Sequence, residues 1–393
     1  MVADPQGLFR ASDVHEQAIE LVERIANIEK TFTTTLVARE LPQPRTTRLL
    51  ERGEYDLPTG DPLEPGTPAV MGEFPEGAPR NRLGLALWLT SREHPLVSRV
   101  LVNGIWQRTF GEGLVRTPED FGLQGQQPTH PKLLDWLAVE LQGSNWDLKQ
   151  MLRLLVHTRT FRQHSAWRNA ANDPENRLFA RGPRYRLDAE VIRDMGLWAS
   201  RLLDPTMGGE GVKPYQPEGL WSALMHPASN TKKYVRDQGQ KLYRRSLYVY
   251  WKRTCPHPML TVFDAPSREV SCVSRSRTTT PLQSLGLLNE TQRMEMSRTL
   301  AQRLLHEGTD DKQRLNLLFT LLACREPTDS ERAACTKLLE AMRGRYAGAK
   351  EDALALLSIG DAPRDEKLDA TDHAAWTQVA VTVLASDVSI LLY

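Results

Sequence analysis

Apolar residues recur at helical spacing along most of the chain. In residues 12–30, Ala18, Val22 and Ile25 fall on one face when the segment is wound at about 3.6 residues per turn. Ser12 and Asp13 stand at the start of this stripe, and either of them suits the N-cap of the helix. The same period predicts further helices over 80–91, 95–110, 130–143, 147–158, 187–203, 281–306, 311–323, 328–345, 350–359 and 371–391.

Strand-like alternation is confined to one region. Residues 243–251 include three tyrosines, one valine and one tryptophan, and a turn signal at 237–239 precedes them, which is typical of a hairpin. The predicted fold class is therefore mainly α, a multi-helix globular body with a small β element around residues 212–280.

Residues 41–79 interrupt the helical pattern. They are rich in proline and show little periodicity, so we expect an extended tether with few backbone donors for a helix or a central strand. The chain then divides into an N-terminal helix at 1–40, this tether at 41–79 and a main helical domain at 80–393.

Charge and hydropathy exclude several classes of protein. The 393 residues carry 50 basic and 49 acidic side chains, a formal net charge of +1, whereas general nucleic-acid binders have a basic excess. No apolar run reaches 18 residues, so no membrane span is predicted. Residues 1–12 lack the apolar core of a signal peptide, and as given the chain is expected to carry no export signal.

Cysteine spacing limits redox and metal chemistry. Cys255, Cys272, Cys324 and Cys335 include no C-x-x-C pair and no C-x-x-C-H, so we predict no zinc knuckle and no c-type haem on this chain. No histidine pair is spaced H-x-x-x-H, and we predict no metal site. Two interpretations remain open: buried free thiols, or a Cys255–Cys272 or Cys324–Cys335 disulfide in an oxidising compartment.

The helix predicted at 187–203 carries the first candidate site. Arg186, Glu190, Arg193 and Asp194 are spaced by three or four residues and share a face. Glu190 and Asp194 lie one turn apart, close enough to divide the roles of acid and base. The alternative is a solvated ladder of salt bridges that contributes little to stability.

An irregular segment carries the second candidate site. Asp264 and Arg268 are followed by Arg275 and Arg277, and arginines in such a segment form bidentate pairs that hold loops together or bind an anion or a sugar hydroxyl. Because burying an unpaired charge is costly, we expect Arg186, Glu190 and Asp194 to meet the segment 264–277 in one polar cluster.

The segment 95–135 is dense in aromatic and charged residues. A predicted helix ends near Trp106, and the polar loop that follows contains Asp120. We expect this loop to be packed. Trp106 is either a core residue or, if exposed, a platform for a sugar ring.

A series of motifs resembles a known family. In order, the chain contains HPLVSRVLVNGIWQRTFGEGLVRTPEDFG, PTHPKLLDWLA, FRQHS, YRLDAEVIRD, YRRSLYVYWKRT, FDAPSREVSC and RTTTPLQSLGLLNE. Over about residues 35–390 the chain is similar to the planctomycete domain of unknown function called PSD-one, which is found in large cytochrome-c-associated proteins. One departure is the end, LASDVSILLY, where many relatives have an acidic segment. The residues that match the family's motifs are Asn103, Trp106, Arg116, Asp120, Arg186, Glu190, Arg193, Asp194, Asp264, Arg268, Arg277 and Asn289.

The resemblance implies which domains accompany the chain and in which compartment it lies, but it implies no reaction. Family members carry an export signal, often a c-type cytochrome domain, and an upstream uncharacterised domain whose tail the first forty residues resemble. This implies that the chain is the C-terminal part of a larger periplasmic or cell-surface protein, with any c-type haem on an upstream domain or a partner and no cofactor of its own.

Two functions follow as expectations. The first is an enzyme, or enzyme subunit, acting on complex carbohydrate and linked to c-type cytochrome electron transfer. The alternative is a non-catalytic scaffold or a polysaccharide- or protein-binding module. For the first, the catalytic candidates are Glu190, Asp194 and Asp264. The substrate-binding candidates are Arg186, Arg193, Arg268, Arg277, Trp106, Asn103 and Asp120. Convergence of these residues in a concave pocket would favour the enzyme, and separate salt bridges would favour the binding module.

Overall fold

The computed structural model describes residues 13–32, 34–167, 173–224 and 232–392. About half of the chain is helical, and the described residues contain 15 α-helices and two sheets of two strands each, which confirms the mainly α prediction. The chain divides into two compact units, Met1–Leu89 and Thr90–Tyr393. No helix in the described ranges has the length and apolarity needed to cross a bilayer.

The first unit has little interior. It contains α1 (Asp13–Glu29), an antiparallel ribbon of β1 (Thr47–Leu50) and β2 (Pro58–Leu63), and α2 (Arg82–Leu89). The ribbon lies within the segment 41–79, where prolines are tolerated because both strands of a two-stranded sheet are edge strands. Among the described residues of this unit only His15, Gly84 and Trp88 are buried.

The second unit begins with three helices around an aromatic core. These are α3 (Val97–Phe110), α4 (Pro131–Gly143) and α5 (Leu148–Val156). Trp106 packs on Phe110 with ring centroids 4.2 Å apart, and the cluster extends to leucines of α4 and α5.

The remaining elements follow in chain order. They are β3 (Tyr185–Arg186), α6 (Ala189–Ala199), α7 (Leu220–Leu224), α8 (Pro258–Val262), α9 (Pro281–Asn289), α10 (Thr291–Glu307), α11 (Asp311–Ala323), α12 (Asp329–Gly348), α13 (Lys350–Leu357), α14 (Ala370–Leu384), α15 (Asp387–Ile390) and β4 (Leu391–Leu392). β3 pairs antiparallel with β4. The largest core of the unit lies along α10 and α14, where Leu300 and Trp376 are fully buried.

The predicted strand at 243–251 does not form. One 3-10 turn, Gly239–Tyr243, ends where this stretch begins, and a second, Ser246–Tyr248, lies within it. Its β pairing with described residues consists of two isolated bridges, Arg244 with Asp204 and Val249 with Val212. The predicted helix 281–306 is two helices, because Glu290 has extended backbone and its side chain caps α10 by accepting from the Arg293 N–H at 2.8 Å.

The cysteines are free thiols, and neither of the two disulfides considered above is present. Cys255 and Cys335 are buried, whereas Cys272 and Cys324 are exposed.

Candidate functional site

A buried ion pair connects the start of α6 to the irregular segment after α8. Arg186, at the end of β3, is 9% exposed and pairs with the Asp264 carboxylate, and its Nη1 donates to the Phe263 carbonyl at 3.2 Å. Asp264 also accepts from the Thr278 N–H at 2.8 Å and from its hydroxyl at 2.9 Å. Burial lowers the pKa of Arg186, and the Asp264 charge opposes this effect. These contacts close residues 264–278 into a fixed loop.

A second ion pair joins the same loop to α6. The Arg275 Nη1 donates to the Glu190 Oε2 at 2.6 Å, and its Nη2 donates to Oε1 at 3.3 Å, so the pair is bidentate. Arg275 also lies 3.5 Å from Asp188, which pairs with Arg108 at 2.8 Å. Burial acts to raise the pKa of the Glu190 carboxyl, but the hydrogen bonds from Arg275 and from the Glu190 backbone, together with the charges of Arg275 and Arg268, hold this pKa below its ordinary value.

The other two charges of the α6 stripe lie elsewhere. Arg193 is buried and donates to the carbonyls of Leu242 and Arg244, each at 2.9 Å. Asp194 accepts from the Ser246 N–H at 2.8 Å and from its hydroxyl at 2.6 Å. The structure therefore brings Arg186 and Glu190 to the segment 264–277, whereas Asp194 holds the 3-10 turns instead of joining the expected cluster.

Three candidate residues from the segment 95–135 have structural contacts. Asn103 is fully buried, and its side chain donates to the Val115 carbonyl at 2.9 Å and accepts from the Val115 N–H at 2.8 Å. Trp106 is 4% exposed and lies in the aromatic core, so it presents no sugar platform. Asp120 accepts from the Gly122 N–H at 2.7 Å within its own loop.

The two exposed candidate arginines each cover an aromatic ring. Arg268 lies 4.5 Å from the Trp251 ring centroid, and Arg277 lies 4.2 Å from that of Tyr185. Stacking holds a guanidinium plane while its edge stays available for hydrogen bonding. Arg277 also lines a cleft, which makes it the candidate with the clearest access to a ligand.

We name this feature the arginine cleft. It consists of two cavities of about 310 and 160 Å³ that share Gly111, Glu112, Arg116 and Arg277 as lining residues. Six arginines and two glutamates line the two cavities together: Arg108, Arg116, Arg181, Arg184, Arg275, Arg277, Glu112 and Glu175. Arg108 and Arg275 are paired with Asp188 and Glu190, which lie outside the lining, and this leaves a formal excess of two positive charges.

The wall of the arginine cleft depends on close backbone approach and on internal ion pairs. Gly111 has φ of 87°, and a Cβ there would lie 2.7 Å from the Tyr185 ring, so this position requires glycine. Arg116 pairs with Glu175 at 3.0 Å and lies 3.5 Å from Glu112. Both glutamates are largely exposed, and surface pairs of this kind are weak. A ligand anion can therefore replace them at Arg116.

Sequence reasoning missed three residues of the arginine cleft. Arg108, Arg181 and Arg184 were not candidates, although 181–186 reads RGPRYR and contains three arginines in six residues. That local density is a signal for an anion site. Arg108 gave no comparable signal, because only the fold brings the end of α3 beside the loop 273–277.

Metal-ligand clustering is absent from the described part of the chain, where no three His, Cys, Asp or Glu side chains are arranged to hold an ion.

A family model described as PSD1, protein of unknown function (DUF1553), matches residues 81–339, which is more than half of the chain. No curated protein matches, and no solved structure matches.

Proposed function

We propose, from the premise that the chain belongs to the PSD1 family of proteins of unknown function, that it is an extracytoplasmic binding module for acidic polysaccharide. The arginine cleft is the site that would hold the acidic groups of the sugar chain. The observation that supports this proposal is the excess of arginine over glutamate in one concave, mainly polar site.

Arginine suits this role for a geometric reason. Its planar guanidinium presents paired N–H donors that match the oxygens of a carboxylate or a sulfate, and it stays charged at any physiological pH. A cleft with one sign of charge also concentrates oppositely charged ligands. Arg277 is the central contact, because it lines both cavities and Tyr185 supports its plane.

The carboxylates favour binding over catalysis. A general acid for glycoside hydrolysis needs a raised pKa, whereas Arg275 keeps the pKa of Glu190 below its ordinary value. Asp264 is paired with Arg186, and Asp194 accepts from Ser246. These candidates therefore occupy separate ion pairs and hydrogen bonds, the arrangement expected of the binding module rather than the enzyme.

The cellular setting of the proposal rests on the family resemblance. In that setting the module is periplasmic or at the cell surface, as part of a larger protein with an upstream domain and a c-type cytochrome domain or partner. The module would then hold a polysaccharide near the redox chemistry of another domain.

Binding to immobilised polysaccharides tests the proposal. We expect retention on an acidic polymer such as a polyuronate or a sulfated glucan, no retention on neutral dextran, and weaker binding as salt rises, because the contacts are ionic. Arg277→Gln should weaken binding by about 10- to 150-fold, since hydrogen bonds to charged groups contribute about 1.5–3 kcal/mol. Arg345→Gln is the matched control, because Arg345 is exposed on α12 and does not line the arginine cleft.

Three outcomes would contradict the proposal. They are equal retention on dextran, an unchanged affinity in Arg277→Gln, or equally tight binding of single-stranded DNA, which would show a preference for polyanions rather than for carbohydrate.

A further inference from the structure

An apolar groove runs along α3 and α5, and the proposed carbohydrate site does not explain it. It has a volume of about 510 Å³, and its apolar lining is Val100, Leu101, Ile105, Leu148, Leu152 and Val273. Leu148 and Leu152 are 48% and 45% exposed. A cluster of exposed large apolar side chains marks an interaction surface rather than an ordinary protein surface.

Both helices of the groove are basic. Between their first and last residues α3 and α5 contain no acidic side chain, whereas they carry Arg99, Arg108, Lys149 and Arg153. Arg99 and Arg108 pair with carboxylates of neighbouring elements, and Lys149 and Arg153 lie exposed on α5. A partner for this groove should therefore combine an apolar face with negative charge.

Helix α1 has this combination. Its 17 residues include five acidic side chains and one arginine. Its apolar residues lie on one face and are about half exposed: Val14, Leu21, Val22, Ile25 and Ile28. An amphipathic helix with a bare apolar face gains free energy by burying that face against another surface. An acidic helix is repelled by anionic lipid, which disfavours a membrane as its partner.

We propose that α1 of one copy of this chain binds the apolar groove on α3 and α5 of a second copy. An amphipathic helix laid in an apolar groove is a common mode of recognition, and here the two surfaces carry opposite charge. When each copy contributes one helix and one groove, two reciprocal contacts hold the two copies together. The inference needs no ligand in the arginine cleft, although the groove shares Gln107, Arg108 and Val273 with the lining of that cleft.

Sedimentation equilibrium of the full chain tests the proposal. We expect a dimer that dissociates in Ile25→Glu, which places a charge on the apolar face of α1, and in Gly104→Glu, which places one in the groove. Gly104 is suited to this test because a Cβ at that position meets no atom within 4 Å, so the fold tolerates a side chain there. A synthetic peptide of residues 13–30 in excess should also dissociate the dimer.

Matched controls separate the contact from loss of fold. Asn27→Glu adds the same charge to the polar face of α1, and Gly104→Ala leaves the groove open; both should remain dimeric. Circular dichroism of every variant should show unchanged helix content. The proposal fails if the chain sediments as a monomer, if either glutamate variant remains a dimer, or if Asn27→Glu dissociates as readily as Ile25→Glu.

Discussion

At the scale of single residues, arginine serves two purposes in this molecule. Buried arginines donate to backbone carbonyls of irregular segments. Arg193 holds the 3-10 turns in this way, and Arg244 donates to the carbonyls of Thr206 and Glu210 at 2.9 and 3.2 Å. One guanidinium offers five donors, so it satisfies several carbonyls that no helix or strand pairs. Arg277 instead lies on a tyrosine ring and lines the arginine cleft. From the sequence, an arginine that binds backbone carbonyls cannot be told apart from one that lines the cleft, because the residue type is the same.

The pair of Glu190 with Arg275 should give the chain a pH-dependent stability. A carboxyl with a depressed pKa stabilises the fold above its ordinary value, here 4.5, and this contribution disappears as the pH falls through the folded value. Glu190→Gln should therefore lower the free energy of unfolding by about 1.5–3 kcal/mol at neutral pH, the range for a hydrogen bond to a charged group. The difference from the unmodified chain should narrow below pH 4.5.

Urea denaturation across pH measures this difference. Glu340→Gln, at an exposed position of α12, is the control and should change stability by less than about 0.5 kcal/mol. A constant difference between Glu190→Gln and the unmodified chain at every pH would show that the carboxylate charge contributes nothing.

At the scale of elements, periodicity predicted where helices lie but not where they end. The helix predicted at 187–203 is α6, Ala189–Ala199. The alternation at 243–251 predicted a strand, yet Arg193 binds the Arg244 carbonyl and Asp194 binds the Ser246 N–H. Backbone groups that a sheet ladder needs are thus taken by side chains about 50 positions away in sequence. No local pattern contains such a contact.

Asn103 should stabilise the packing of the loop after α3 against that helix. Its amide makes two hydrogen bonds to the backbone of Val115 in a site without solvent. Asn103→Ala would leave a buried N–H and a buried carbonyl without partners, at about 1–3 kcal/mol for each group. We expect the free energy of unfolding to fall by about 2–6 kcal/mol in thermal or urea denaturation.

A second asparagine from the same set of family motifs provides the comparison. Asn289 is exposed and donates to the Leu285 carbonyl at 3.0 Å, so Asn289→Ala should change stability by less than about 0.5 kcal/mol. Equal losses in the two variants would refute the structural role assigned to Asn103.

At the scale of the whole molecule, the sequence predicted part of the candidate site. Arg186 and Glu190 do meet the segment 264–277, because charges at the start of a packed helix must find partners. Asp194 and Arg193 bind partners outside that segment. The arginine cleft, which adjoins the loop 264–278, is also lined by Arg108 and Arg184, which belong to distant segments of the chain. Their convergence is a property of tertiary packing, which charge spacing along one helix does not encode.

The two compact units should differ in local stability. In the described residues of Met1–Leu89 only three residues are buried, whereas α10 and α14 are packed around a continuous apolar core. Amide hydrogens exchange through local opening, and a helix that buries little surface opens at small cost in free energy. In α1, where His15 is the one buried residue, amides should exchange far faster than those of α10 and α14.

Hydrogen–deuterium exchange read by mass spectrometry measures this contrast and its link to self-association. At protein concentrations where the chain is monomeric, α1 should be close to fully exchanged before α14 begins to exchange. At concentrations where dimers form, docking into the groove should slow exchange in α1 and leave α14 unchanged, since only the helix that becomes covered gains protection. Protection of α1 equal to that of α14 in the monomer would show that α1 is stabilised within its own chain. The bare apolar face would then need no partner.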